Sequence, residues 1–103
     1  MINFPNRVLA YGEPIDMRKS FDGLLGVVRE QVGADPLSGT FYVFLNRSGN
    51  YLKGIYWDRT GYCMYAKRLT RGRFRFPHGT RTEEINEQVF KLLLDGIVVG
   101  KKR

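Results

Sequence analysis

Apolar residues recur at helical spacing in two parts of the chain. After Ser20, which can cap a helix, the apolar positions fall at i, i+3, i+4, i+7 and i+11, on one helical face: Phe21, Leu24, Leu25, Val28 and Val32. Gly33 and Pro36 are typical of a helix end, so the pattern predicts a first helix over residues 21–32. Gly23 and Gly26 inside it each cost about 1 kcal/mol relative to alanine. Either another backbone approaches closely there, or the helix is simply weak.

The second helical pattern lies near the end of the chain. Thr80 and Glu83 have the spacing of a capping box, which predicts a helix beginning near Thr80 or Thr82. Gly96 ends this helix, and its apolar face consists of Ile85, Val89, Leu92 and Leu93. The remaining sequence, IVVGKKR, predicts a basic tail from about residue 97 to 103, with room for a short strand before it.

Between and before the helices, short aromatic and β-branched runs predict strands. Residues 7–11 form one run, and residues 40–45, 51–57 and 62–69 form three more, separated by the turn sequences NRSGN and DRTG. Turns of this length join antiparallel neighbours, so the three later runs predict a meander. The fold class is therefore α+β: a small single domain over residues 1–103, with an antiparallel meander of three to four strands packed against two helices. No βαβ alternation is visible, which argues against a parallel sheet.

Charge is distributed unevenly along the 103 residues. The net charge is +7. Residues 1–46 carry four basic and five acidic residues, or −1, whereas residues 47–103 carry thirteen basic and five acidic residues, or +8. This asymmetry favours a polyanionic partner, and nucleic acid is the first candidate.

The segment KRLTRGRFRFPHGTR, residues 67–81, concentrates this charge. It contains six basic residues and no carboxylate, and arginines alternate with Gly72, Phe74 and Phe76. In an extended chain the arginines point one way and the rings the other. The rings then anchor the segment while the arginines contact phosphates, or the rings are exposed and stack on unpaired bases. A solvated basic loop is the third interpretation.

No catalytic constellation is visible, so we expect no enzymatic activity, no metal and no cofactor. His78, the only histidine, has no orienting partner in the sequence, and Cys63 lies in a predicted strand. Asp16, Asp22 and Asp58 are available for a metal-dependent nuclease, but their spacing marks no site. A single cysteine, no visible signal peptide and no long apolar run lead us to expect a cytoplasmic protein without a membrane span.

Two segments resemble a known family. Residues 16–28 (DMRKSFDGLLGVV) and 39–77 (GTFYVFLNRSGNYLKGIYWDRTGYCMYAKRLTRGRFRFP) are similar, in order, to the small accessory protein called TnpB of insertion-sequence-66-type bacterial transposable elements. The resemblance covers roughly residues 7–77. It implies a role in transposition beside a separate, larger transposase that carries the acidic catalytic residues. Cys63 stands where the family often has a bulkier residue, so it acquires no role from the resemblance.

Two functional hypotheses follow. In the first, a non-enzymatic accessory protein binds the ends of the element, or a DNA–transposase complex, through phosphate contacts from Arg18, Lys19, Lys67, Arg68, Arg71, Arg73 and Arg75. In the second, the chain is an adaptor that docks on the transposase without touching DNA. An aromatic sheet face containing Tyr51, Tyr56 and Tyr65 would then be a docking surface, unless these rings belong to the core.

Overall fold

A five-stranded sheet forms the centre of the fold in the computed structural model, which describes residues 7–77, 79 and 81–96. The strands in chain order are β1 (Val8–Ala10), β2 (Phe41–Leu45), β3 (Tyr51–Asp58), β4 (Gly61–Arg68) and β5 (Glu83–Ile85). Their order across the sheet is β4-β3-β2-β1-β5. The predicted meander is confirmed as β2, β3 and β4, which pair antiparallel. The α+β class is confirmed, with five strands rather than three to four.

The sheet is mostly antiparallel, in agreement with the argument against a parallel sheet, but one pair of neighbouring strands is parallel. β1 and β2 run in the same direction, with Val8 opposite Phe41 and Ala10 opposite Val43. The chain crosses from one to the other through helix α1 (Phe21–Val27). A single crossover of this kind is enough for one parallel pair. It leaves no repeating alternation for sequence patterning to detect.

Helix α1 begins at the predicted residue and continues as a π-helical turn over Val28–Val32. It ends at Gly33, whose φ of 74° is in the left-handed region, so the predicted span is confirmed. Ser20 occupies the N-cap position, but its side chain makes no capping hydrogen bond. Phe21 is 42% exposed, so it does not belong to the buried face as predicted, whereas Leu24 and Leu25 are buried.

The glycines of α1 are not sites of backbone contact. A methyl group at Gly26 would meet no heavy atom within 4 Å, and one at Gly23 would meet only the Lys19 side chain, at 3.1 Å. The proposed close approach of another backbone is therefore wrong. The glycines leave α1 with low intrinsic helix stability, and packing against the sheet compensates for it.

The second helix begins later than predicted. Residues Glu83–Ile85 form β5, which pairs antiparallel with β1, and helix α2 spans Glu87–Leu94. Asn86 caps α2, because its side-chain oxygen accepts a hydrogen bond from the backbone N–H of Val89 at 2.8 Å. Thr82 instead accepts a hydrogen bond from the Gly12 N–H at 2.8 Å. Pairing with β1 thus overrides the capping-box pattern, whose Thr80 lies outside the described residues, as do residues 97–103.

The later start of α2 also changes its buried face. Phe90, Leu93 and Leu94 are buried, while Leu92, predicted to face the core, is 42% exposed. Gly96 follows the helix with a φ of 79°, which agrees with the predicted end. The expected face was counted from Ile85, which belongs to β5 and not to the helix, so the face that α2 buries is set by its packing against the sheet.

Both faces of the sheet are covered, each by one helix. On the α2 side the buried cluster includes alternate residues of β1 to β3 together with Phe74, Phe76 and the apolar face of α2. On the α1 side the cluster includes the intervening residues of β2 and β3 with the apolar face of α1. Period-two alternation along β2 and β3 therefore divides the side chains between two hydrophobic layers.

Candidate nucleic-acid interface

The segment after β4 alternates between buried rings and exposed arginines. Phe74 and Phe76 are 2% and 8% exposed and pack in the cluster beneath α2, whereas Arg73 and Arg75 are exposed. The Phe74 N–H donates to the Gly49 carbonyl oxygen at 2.8 Å. The anchored arrangement is confirmed, and the alternative in which these two rings stack on unpaired bases is wrong. Burying two phenylalanine side chains contributes several kcal/mol, roughly, which holds the arginines in place.

Arg71 is exposed but is not part of this alternation. Gly72 has a φ of 77°, so the backbone turns between Arg71 and Arg73 instead of remaining extended. Within the described part of the chain, no carboxylate forms an ion pair with Arg71, Arg73 or Arg75. These three side chains are the cations of the basic segment that are most available to an external anion.

Arg73 and Arg75 line an open groove with a volume of about 940 Å³. The groove lies between residues 11–14, the turn of residues 46–49 and residues 73–77 with Gly79. Arg47 lines it too, and also lines a neighbouring groove of about 640 Å³ on the other side of the turn. We call Arg47, Arg73 and Arg75 the groove arginines. Glu13 is the carboxylate residue lining the first groove.

The turn that carries Arg47 is held by its own hydrogen bonds. The Asn46 side-chain N–H donates to Asn50 Oδ1 at 2.8 Å, and Ser48 Oγ donates to the same oxygen at 2.9 Å. Asn46 Oδ1 in turn accepts from the Tyr51 N–H at 3.1 Å. Asn and Ser side chains commonly form such turn-closing bonds. The groove arginines are therefore mounted on two segments with fixed backbones, joined by the bond between Phe74 and Gly49.

Lys67 is engaged inside the molecule. Its Nζ donates to the Leu94 carbonyl oxygen at 2.7 Å and lies 3.9 Å from a carboxylate oxygen of Asp95. Lysine in this position satisfies a carbonyl at the C-terminal end of α2 and interacts favourably with the helix dipole. Lys67 thus stabilises the packing of α2 against β4.

Arg68 lies beside an aromatic ring on the other face of the sheet. Its guanidinium carbon is 4.5 Å from the centre of the Tyr51 ring, and Lys53 Nζ is 5.8 Å from the same centre. The three predicted tyrosines do not share a face. Tyr56 and Tyr65 pack against the cluster beneath α2, whereas Tyr51 alternates onto the α1 side. A common aromatic docking face is therefore wrong.

Arg18 and Lys19 precede α1, as predicted, but Arg18 already binds a carboxylate. Its Nη2 is 2.6 Å from Asp16 Oδ2, and its backbone N–H donates to Asp16 Oδ1 at 2.9 Å. Hydrogen bonds from the Arg18 side chain and backbone lower the pKa of Asp16 to about 2. Lys19 is exposed, and its carbonyl oxygen accepts a hydrogen bond from Lys53 Nζ at 2.8 Å.

The residues considered for catalysis are not brought together. Asp16 binds Arg18, and Asp58 lies 3.6 Å from Arg59. Among the described residues no group of three or more His, Cys, Asp and Glu side chains is placed to hold a metal ion. Cys63 lies opposite Tyr56 in the pairing of β3 and β4. Burial is the main cause of the raised pKa of the Tyr56 hydroxyl, and the hydrogen bond with the Cys63 thiol raises it further. His78 lies outside the described residues. No helix in residues 7–77, 79 and 81–96 is long and apolar enough to cross a membrane.

The fold and the groove define a class: small basic α+β proteins that display arginines on loops at one end of a sheet. The chain belongs to the family of IS66 Orf2-like proteins, whose model matches residues 6–103. The expected resemblance is thus confirmed, and family membership indicates a transposition-associated accessory protein.

Two curated relatives come from Sinorhizobium fredii, and both are named as uncharacterized. The uncharacterized protein y4hO is 47% identical over 62 residues, which is 60% of this chain and 54% of that protein. The uncharacterized protein y4jC is 35% identical over 71 residues, which is 69% of this chain and 61% of that protein. The aligned part of the chain thus spans less than two thirds of either relative. No solved structure matches this chain.

Sequence reasoning missed Arg47, Tyr51 and Lys53 as parts of a basic surface. Arg47 is an isolated arginine in a turn, and the bond between Phe74 and Gly49 joins that turn to the segment that carries Arg73. Tyr51 and Lys53 are two residues apart in β3, so alternation along a strand places them on one face, which was a usable signal. Arg68 lies beside them because of the register between β3 and β4, and the sequence alone does not specify that register.

Proposed function

We propose that this chain is a non-enzymatic accessory protein of transposition that binds DNA at the ends of its element, alone or with the transposase. One observation carries the proposal: Arg73 and Arg75 project from a segment anchored by two buried phenylalanines, with Arg47 across the same groove. Arginines on a fixed backbone bind phosphates at a low entropic cost. The overall charge of +7 steers DNA toward them.

The predicted contact residues have different parts in this proposal. The groove arginines and Arg71 make the main phosphate contacts, and Arg68 with Lys19 forms a second patch on the α1 side of the sheet. Lys67 and Arg18 contribute long-range charge, because their side chains are already occupied by Leu94 and Asp16. Contacts to phosphates position a protein on DNA without reading its sequence.

The first experiment is an anisotropy titration with labelled element-end duplex and a scrambled duplex of equal length, at several salt concentrations. Five or six phosphate contacts predict a slope of log affinity against log salt of about −5, or a loss of about a thousandfold between 50 and 200 mM salt. Preference for the end sequence would make the protein a recognition factor. Absence of binding at low salt would overturn the proposal.

A pair of matched variants tests the groove itself. The double variant Arg73→Gln/Arg75→Gln removes two groove arginines, and the control Arg29→Gln/Arg59→Gln removes two exposed arginines elsewhere. Both lower the net charge by two, so simple electrostatic steering changes equally. We expect the groove variant to reduce the salt slope by about 2 and the control to change it much less. Equal losses would assign the binding to net charge rather than to the groove.

A second function, docking on the transposase as an adaptor, is favoured by the edge of the sheet. β4 is an eight-residue strand at the edge of the sheet. Just beyond its end, the Leu69 N–H donates to the Asn50 carbonyl oxygen at 2.9 Å, which shows which residues of β4 direct their backbone groups toward β3 and which direct them outward. By that alternation the backbone groups of four residues point away from β3: Tyr62, Met64, Ala66 and Arg68. An extended segment of a partner can pair with such an edge.

Co-purification with the transposase distinguishes the two functions. If the adaptor function holds, the complex survives nuclease treatment and high salt, and Met64→Pro weakens it by blocking one outward edge position. Binding that disappears with nuclease treatment supports the DNA function instead.

A further inference from the structure

Tyr51, Arg68 and Lys53 form a second cationic site on the α1 side of the sheet, at the end next to the turn of residues 46–50. Arg68 lies directly opposite Tyr51 in the pairing of β3 and β4, and Lys53 follows Tyr51 on the same face. The guanidinium lies 4.5 Å from the ring centre and the Lys53 ammonium 5.8 Å from it. We call these three residues the Tyr51 platform.

The platform is held in place by regular structure rather than by a loop. Tyr51, Lys53 and Arg68 all belong to the longest pair of strands in the sheet. Lys53 Nζ also donates to the Lys19 carbonyl oxygen at 2.8 Å, which fixes the start of α1 beside the platform. A site built on strands keeps its geometry better than one built on loops.

The charges of the platform have no compensating partner close by. Neither Lys53 nor Arg68 forms an ion pair with a carboxylate of the described residues. Arg68 is exposed, and so is Lys19, whose backbone carbonyl oxygen accepts the bond from Lys53 Nζ. The complementary ligand is therefore an anion that also carries a flat ring system.

We propose that the Tyr51 platform binds an unpaired nucleotide of single-stranded DNA, an inference that rests on the proposed DNA-binding function. A base stacks on the Tyr51–Arg68 pair, while Lys53 and Lys19 contact the flanking phosphates. Aromatic rings and arginine planes are the groups on which proteins stack unpaired bases. Bases in a duplex stack on each other and cannot reach the platform, so this site selects for single-stranded DNA.

The platform and the groove arginines are separate sites. Phe74 and Phe76, which anchor Arg73 and Arg75, pack on the α2 side of the sheet, whereas Tyr51 alternates to the α1 side. The turn of residues 46–50 connects the two sites, since it carries Arg47 and precedes Tyr51. Substitutions in the platform therefore leave the groove arginines in place, so their effects on duplex and on single-strand binding can be compared.

The test is anisotropy with a labelled oligothymidylate and with an element-end duplex of equal length. The variant Arg68→Lys keeps the charge but removes the stacking plane, and Tyr51→Leu keeps an apolar side chain but removes the ring. For both we expect oligothymidylate affinity to fall by about 5- to 100-fold, the range for loss of one stacked base. Duplex affinity should fall by a clearly smaller factor, because neither variant removes a positive charge that contacts phosphates.

Tyr51→Phe is the matched control, because it retains the ring, and it should bind oligothymidylate like the unsubstituted protein. Thermal unfolding of each variant identifies a loss of fold. If Tyr51→Leu fails to fold, the exposed position of Arg68 makes Arg68→Lys decisive. Ultraviolet crosslinking of oligothymidylate, mapped by mass spectrometry, should place the adduct on the peptide containing Tyr51.

The outcomes separate this proposal from the one on which it rests. Duplex binding without oligothymidylate binding, or equal losses on both ligands for Arg68→Lys, would overturn the platform and leave the groove function standing. Binding of neither ligand would overturn both. Stronger competition by an oligouridylate than by an oligothymidylate would overturn the assignment to DNA in favour of RNA.

Discussion

At the scale of single residues, the contacts of each cation decide whether it is available to a ligand. Arg18, Lys67 and Arg73 look alike in the sequence, yet Arg18 binds Asp16, Lys67 binds the end of α2, and Arg73 faces an open groove. A basic residue that already has a partner must give it up before it binds a phosphate. The exchange reduces the net gain, because the existing bond is lost as the new one forms.

The bond between Arg18 and Asp16 has a measurable signature. We expect Arg18→Ala to return the pKa of Asp16 from about 2 toward its ordinary value of 3.8, because the bonds from the Arg18 side chain are the largest cause of the lowered value. The pair stabilises the fold above pH 3.8, and this contribution is lost as the pH falls toward 2. Carboxyl NMR titration measures the shift. Lys19→Ala is the control and should lower the pKa difference only slightly; an equal effect would contradict the assignment.

Two glycines predict opposite effects of the same substitution. We expect Gly54→Ala to destabilise the protein by about 1–3 kcal/mol, because its methyl group would overlap the Phe41 ring and approach Val43 to 3.1 Å. Gly26→Ala should instead stabilise α1 by up to about 1 kcal/mol, since the added methyl group meets nothing within 4 Å. Urea unfolding of both variants checks the pair, and stabilisation by Gly54→Ala would contradict the packing described for β3.

At the scale of elements, the ends of helices and strands are set by pairing more than by local propensity. The sequence TEEI has an acceptable helix start, but in the structure it contributes β5 at the edge of the sheet. The helix then begins after Asn86. The edge position suits a strand with two glutamates, because charged side chains on an edge strand discourage pairing with another chain.

The two helix starts provide a matched prediction. Asn86→Ala removes the side-chain bond to the Val89 N–H and should cost about 1 kcal/mol of stability, with loss of helix α2 first. Ser20 has the equivalent position in α1, but its side chain makes no capping bond. Ser20→Ala should therefore leave the free energy of unfolding almost unchanged. Urea unfolding and hydrogen exchange of α2 measure the difference. Equal costs would show that Ser20 caps α1 in solution.

At the scale of the whole molecule, the positive charge is displayed on two surfaces that meet at the turn of residues 46–50. The groove arginines lie on one side and the Tyr51 platform on the other. Under the two proposals, DNA bound at either surface would have a raised local concentration at the other, because the turn keeps both surfaces within one molecule. This arrangement suits DNA in which a duplex adjoins an unpaired segment.

The role of Arg18 can be tested at this scale. Asp16→Asn removes the carboxylate that binds Arg18 and releases the guanidinium to DNA, so we expect duplex affinity at low salt to rise and the salt slope to steepen by about 1. Glu30→Gln is the control, since Glu30 is exposed on the π-helical turn and its loss changes the net charge equally. The same rise in both variants would show that Arg18 acts only through net charge.

Much of the architecture follows from local pattern. Period-two runs and glycine-containing turns were enough for the β2–β3–β4 meander, because neighbouring antiparallel strands need only a short connection. Helical spacing and Gly33 were enough for the span of residues 21–32. The buried rings and exposed arginines of residues 73–76 also followed, since alternation in an extended segment is a local property.

Local patterns in the chain are enough to specify the meander, the first helix, the uneven charge and the anchoring of the basic segment. The tertiary structure alone decided the parallel pairing of β1 with β2, the strand β5, the starting residue of α2, and which cations remain available. Each of these depends on contacts between residues far apart in the chain, such as the pairing of Val8 with Ile85 or the bond from the Phe74 N–H to the Gly49 carbonyl oxygen. Such contacts offset the entropic cost of loop closure only when the whole sheet is assembled, so no local pattern predicts them.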